Sequence, residues 1–92
     1  MDFEIDPIGE QVRNVPFQIT VRALGPKSRA FQSPVSVQAS HGQLHTVSSG
    51  KFVDGVRQDE VSLSHPGGRV YLLVEDADGH RGLSNPFRVR PH

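Results

Sequence analysis

Glu75, Asp76 and Asp78 cluster just before Gly79. A hard cation such as calcium takes roughly six to eight oxygen ligands, so carboxylates grouped in one turn would supply part of a weak site. The same residues have a plainer use. Asp78-Gly79 is a pair that tight hairpin turns prefer, and the acids around such a turn are expected to be solvated. His41 and His45 are four positions apart. On a strand they share a face but lie roughly 13 Å apart, which is too far for one zinc ion unless the chain bends at Gly42. His65, His80 and His92 add no ligand spacing, so all five histidines are expected on the surface or in loops.

Nucleophilic and phosphate chemistry find less support. No Gly-x-Ser-x-Gly elbow is present. Ser48-Ser49-Gly50-Lys51 shares only its Gly-Lys pair with a phosphate loop: the pattern needs glycine at 45, where His45 stands, and Ser or Thr after Lys51, where Phe52 stands. No catalytic, cofactor-binding or metal residue is therefore assigned, and no cofactor is expected. Arg22, Lys27, Arg29, Arg69, Arg88 and Arg90 could form a basic face for an anionic polymer if the strands of Arg22 and Arg88 share a sheet. The plainer expectation is solvated strand faces that discourage edge aggregation. Tyr71 and Leu73 could make an exposed sugar or protein contact, although one Tyr and no Trp equip the chain poorly for stacking on sugars. Their expected place is a sheet face beside long Arg stems.

Composition narrows the class. The chain has 92 residues, with ten Lys+Arg balanced by ten Asp+Glu. That length suits one domain spanning residues 1–92. Zero net charge argues against nucleic acid, whose binders carry a basic surplus. No apolar run approaches the roughly 18 residues of a membrane span. Asp2, Glu4 and Asp6 stand where a secretory signal would need basic and apolar residues. Met1 directly precedes a strand-like segment, which suggests a domain excised from a larger protein. The absence of cysteine fits an intracellular protein or a bacterial surface protein held by packing alone.

The elements that must position these side chains are strands. In Phe17-Gln18-Ile19-Thr20-Val21-Arg22-Ala23 the odd positions are apolar and the even ones polar. This period of two means one buried and one wet face. Val35-Ser36-Val37-Gln38-Ala39-Ser40, Glu60-Val61-Ser62-Leu63-Ser64 and Phe87-Arg88-Val89-Arg90 repeat it. Val70, Leu72 and Val74 are expected inward, with Tyr71 and Leu73 outward on a central or covered strand. Gly25-Pro26, Ser33-Pro34, His41-Gly42, Ser49-Gly50, Asp54-Gly55, Pro66-Gly67-Gly68 and Asp78-Gly79 separate the apolar runs, in the rhythm of a sandwich or barrel. The pattern predicts strands near 2–8, 15–24, 34–40, 43–48, 51–57, 59–65, 69–76 and 81–90. If 51–57 is instead a connection that drops Phe52 into the core, seven remain. Seven strands running alternately up and down would leave the termini at opposite ends.

From Phe3-Glu4-Ile5 through Gln11-Val12-Arg13-Asn14-Val15-Pro16 to Phe17-Gln18-Ile19-Thr20-Val21-Arg22-Ala23 the chain resembles the opening of a bacterial immunoglobulin-like domain. Ser33-Pro34-Val35-Ser36-Val37-Gln38-Ala39-Ser40-His41-Gly42 resembles its middle. Gly50-Lys51-Phe52-Val53-Asp54-Gly55-Val56 resembles its link between sheets, and Gly79–Val89 its close. The likeness spans nearly the whole chain in order. It departs at Leu24-Gly25-Pro26-Lys27-Ser28-Arg29, where the family tends to have an acidic residue and a glycine-containing turn. The antibody-type cysteine pair and core Trp are also missing.

The expected fold is all-β: an immunoglobulin-like β-sandwich of about seven antiparallel strands in a Greek key. Its expected core is Phe3, Ile5, Phe17, Ile19, Val21, Val35, Val37, Phe52, Val61, Leu63, Val70, Leu72, Val74, Phe87 and Val89. The resemblance implies a non-catalytic structural or spacer module of a larger bacterial exported or cell-surface protein, partnered by neighbouring domains of the same chain. The alternative is a carbohydrate- or protein-recognition module, for adhesion or beside a polysaccharide-active enzyme. An enzyme would require His and Asp converging on Ser in a concave pocket.

Overall fold

The computed structural model describes residues 2–92. Its strands are β1 (Phe3–Ile5), β2 (Gln11–Val12), β3 (Phe17–Ala23), β4 (Val35–Ala39), β5 (Leu44–Ser48), β6 (Val56–Leu63), β7 (Gly67–Val70), β8 (Leu72–Asp76), β9 (Arg81–Leu83) and β10 (Phe87–Arg90), with one 3-10 turn at Ser28–Ala30. One sheet has the order β1-β3-β6-β5 and is antiparallel throughout. Across from it lie β4-β8-β9, also antiparallel, and β2-β10-β7. β10 runs antiparallel to β7 but parallel to β2, the one departure from the expected antiparallel order among the described residues.

The last two sheets continue one another. β7 and β8 are separated only by Tyr71, and β9 and β10 by Ser84-Asn85-Pro86. Pro86 has no N–H to give a ladder. Ser84 carries the pairing across the break: its Oγ accepts the Leu72 N–H at 2.8 Å and its N–H donates to the Leu72 carbonyl at 2.9 Å. Both expected strands, 69–76 and 81–90, are thus interrupted where the chain changes partners. Of the two readings of 51–57, the connection is the one found: residues 51–55 drop Phe52 into the core and turn at Asp54-Gly55, and Val56 and Arg57 begin β6. Both turn residues have positive φ, 53° and 80°, and Val53 and Val56 exchange backbone bonds across them. This is the two-residue geometry that Asp-Gly favours. The strand that follows is one element, β6, rather than 59–65. β2 lies outside every expected strand.

Parity selects the core. Phe3, Ile5, Ile19, Val21, Phe52, Val61, Leu63, Val70, Leu72, Val74, Phe87 and Val89 are buried, as expected; Phe17, Val35 and Val37 are only partly so. β4 is an edge strand, so Val35 and Val37 have cover on one side only. Ile8 and Ala23 are buried as well, and Phe31 packs against the core from a loop. Phe3, Phe31 and Phe52 form an aromatic cluster with ring centroids 5.0–6.0 Å apart.

One flank is tightly closed. A Cβ at Gly82 in β9 would lie 2.2 Å from the Phe3 carbonyl of β1. Register also fixes the ends. β1 begins beside Ala23, at the pole where β3 ends. β10 ends beside Val12 and Arg13, near Asn14, whose N–H reaches Leu63 at the opposite pole. The N-terminal strand therefore starts at one pole and the C-terminal strand finishes at the other, in a body 41 Å long and 20–21 Å across.

Candidate functional site

The turn after β8 positions the acidic cluster. Asp76 ends the buried face of its strand and is itself buried. Its Oδ1 accepts the N–H groups of Asp78 (3.0 Å) and His80 (2.8 Å), and its Oδ2 meets His80 Nδ1 at 2.7 Å. Burial alone would raise the Asp76 carboxyl pKa. The His80 imidazole, the His80 N–H and charge, and the Asp78 N–H together outweigh it and hold the group below its ordinary value. Ligand atoms of Asp76, Asp78 and His80 fall within 4.8 Å of one another. Both Asp76 oxygens are nevertheless committed to closing the turn, and Glu75 is bound to Arg81. The chemistry of this cluster is that of a hairpin end, with Gly79 taking the positive φ of 86°.

Histidines meet in a combination that sequence spacing does not show. The chain does bend at Gly42, where φ is 71°, but the bend carries His41 to His65. Their rings lie edge to face with centroids 5.9 Å apart. His45 is exposed on β5 opposite Ser62. Ser64 Oγ lies 2.7 Å from His65 Nδ1. A Ser–His contact and an Asp–His contact thus both exist, at opposite ends of the β7–β8 run. No carboxylate among the described residues supports His65, and no serine joins His80.

The most charged part of the interior was not anticipated. Arg57 and Asp59 continue the inward parity of Val61 and Leu63 along β6. Arg57 Nε and Nη2 donate to Asp59 at 2.9 and 3.1 Å, and the Gly50 N–H donates to it at 2.8 Å. The side chains are 12% and 2% exposed. Arg57 also lies 6.0 Å from the centre of the Phe52 ring. Above the pair is a cleft of about 620 Å³, whose lining includes Ser33, Pro34, Lys51, Phe52 and Arg57. The available signal was positional: charged residues on the core parity of a strand need partners, and opposite charges at i and i+2 can supply them to each other.

The condition for a broad basic face is not met. Arg22 is on β3 and Arg88 on β10, in different sheets. Arg22 grips Asp6 through two bonds of 2.7 and 2.9 Å, which hold the Asp6 carboxyl below its usual range. Arg88 and Arg90 both approach Glu10, at 3.9 and 3.7 Å. Lys27 and Arg29 are exposed around the 3-10 turn. Tyr71, 42% exposed, and Leu83, 61% exposed, flank a hollow of about 310 Å³ with Arg69, Ser84 and Pro86. Leu73, opposite Leu83 in the ladder, is half-buried. No helix among the described residues is long and apolar enough to cross a membrane. Comparison with protein-family models, with curated proteins and with solved structures finds no match.

Proposed function

We propose that this chain is an immunoglobulin-like Greek-key sandwich acting as a non-catalytic structural module, a spacer within a larger exported or cell-surface protein of bacterial type. Strand order supports the fold reading. With β1, β3, β6 and β5 taken as A, B, E and D, and β4, β7–β8 and β9–β10 as C, F and G, the strand order is compatible with that of a constant-type domain whose second sheet is broken in two. β2 then sits parallel to the last strand as a short continuation of the first. The observation that carries the spacer reading is polar placement of the ends: the first strand starts at one pole and the last finishes at the other along the 41 Å axis. Force or distance would pass through the body lengthwise.

Two experiments test the reading. The full-length reading frame is expected to place folded domains on both sides of this segment; a frame encoding these residues alone would overturn it. Fluorescent domains fused at the two ends are expected to be held apart by the long axis of the module, and a short separation would contradict the polar geometry.

Tyr71, Leu83, Pro86 and Arg69 favour a second reading, recognition of a protein or carbohydrate on the face of β8–β9. A glycan array and a pull-down from extracellular fluid that both stay blank would leave the spacer reading alone.

A further inference from the structure

We propose that His41 and His65 form a two-imidazole seat for a divalent transition-metal ion of the zinc, nickel or copper class, with water filling the remaining positions. The rings come from two turns at one pole: His41 from the link between β4 and β5, His65 from the link between β6 and β7. An ion about 2.0–2.1 Å from a ring nitrogen lies roughly 3.2 Å from the ring centroid, so two rings sharing a tetrahedral ion have centroids about 5 Å apart. The observed separation is 5.9 Å, within the reach of a small side-chain rotation. His41 is exposed.

Ser64 prepares His65 for this role. A serine hydroxyl has one proton and two lone pairs. Ser64 Oγ accepts the Gln43 N–H at 3.0 Å and donates to the Gln43 carbonyl at 3.2 Å. The same Oγ lies 2.7 Å from His65 Nδ1. In the tautomer with its proton on Nδ1, His65 donates to Ser64 Oγ and keeps the Nε2 lone pair open for a metal. Outer partners of this kind orient metal-binding histidines generally. Gly42 allows the approach: with φ of 71°, a Cβ there would strike the His65 side chain at 2.6 Å. Neutral imidazole selects zinc, copper or nickel, whereas calcium and magnesium take oxygen ligands.

The test is titration of the whole 92-residue chain with ZnCl2 at neutral pH, by calorimetry and by imidazole NMR resonances. One ion is expected, with shifts centred on His41 and His65 and none on adding CaCl2. His41→Gln and His65→Gln should each weaken binding at least tenfold, and Ser64→Ala by roughly tenfold. His41 stands exposed in a turn, so His41→Gln keeps the test decisive even if altering His65 disturbs the fold; circular dichroism reports this. Absence of binding at about millimolar zinc overturns the proposal. So do shifts centred on His45, His80 or His92, or unchanged affinity in His41→Gln.

Discussion

Asp59 occupies a position where the parity of β6 calls for an apolar side chain, and its carboxylate is tolerated because Arg57 and the Gly50 N–H saturate it. Removing one partner of a buried pair strands the other charge. Asp59→Ala is therefore expected to lower the unfolding free energy by about 3–5 kcal/mol in urea titration. The double variant Arg57→Met/Asp59→Leu should lose much less; an equal loss would mean that the pair matters through packing rather than charge. Asp76 is a different case, a carboxylate whose pKa is depressed in the fold. Such a group stabilises the native state above its unfolded pKa of about 3.9. The contribution disappears as pH falls through the lower folded value. The stability gap between wild type and Asp76→Asn should thus be full at about pH 5 and narrow towards about pH 2. A gap independent of pH would assign the effect to turn geometry alone.

The points where an element changes partner are fixed by few atoms. Ser84 substitutes its hydroxyl for a ladder carbonyl opposite Leu72, at a buried position. Ser84→Ala leaves the Leu72 N–H without that acceptor and is expected to cost about 1–3 kcal/mol by chemical denaturation. Asn85 fastens the passage between β1 and β2 by accepting the Ile8 N–H at 2.8 Å and donating to the Ile8 carbonyl at 2.9 Å. On the closed flank, Gly82 lets β9 lie against the backbone of β1. Gly82→Ala must push the sheets apart and should destabilise by about 1–3 kcal/mol, read as a lowered melting temperature. Gly68→Ala, with nothing within 4 Å of its Cβ, is the matched control and should stay within about 0.5 kcal/mol.

Taken as a body, the molecule is held most firmly along β3, β6 and β8, each paired on both sides; β10 is also flanked twice, but by only two residues of β2. β4 and β5 are edges, and β5 is almost wholly exposed. Amide hydrogen exchange should be slowest in β3, β6 and β8 and fastest in β5 and the outward amides of β4. Uniform protection across the strands would contradict this gradient. An elongated body with its ends at opposite poles also suits the proposed spacer role.

The all-β class and most of the core were legible because a half-buried strand must alternate apolar and polar residues, and positions such as Ile19, Val21, Leu72 and Val74 obey that period without any partner being known. The Asp78-Gly79 turn was legible for a similar local reason: backbone φ depends on the residue itself. Ile8, buried, and Phe31, partly buried, were not legible because they sit in irregular segments, where no period exists to mark them. Where the ladders switch at Tyr71 and Ser84 was also hidden, since alternation reports which face a residue occupies and not which strand lies beside it. The same limit concealed both charged and metal-competent groupings. Arg57 with Asp59 became a pair only when an opposing layer excluded water. His41 met His65, rather than the nearer His45, only when two turns distant along the chain packed at one pole.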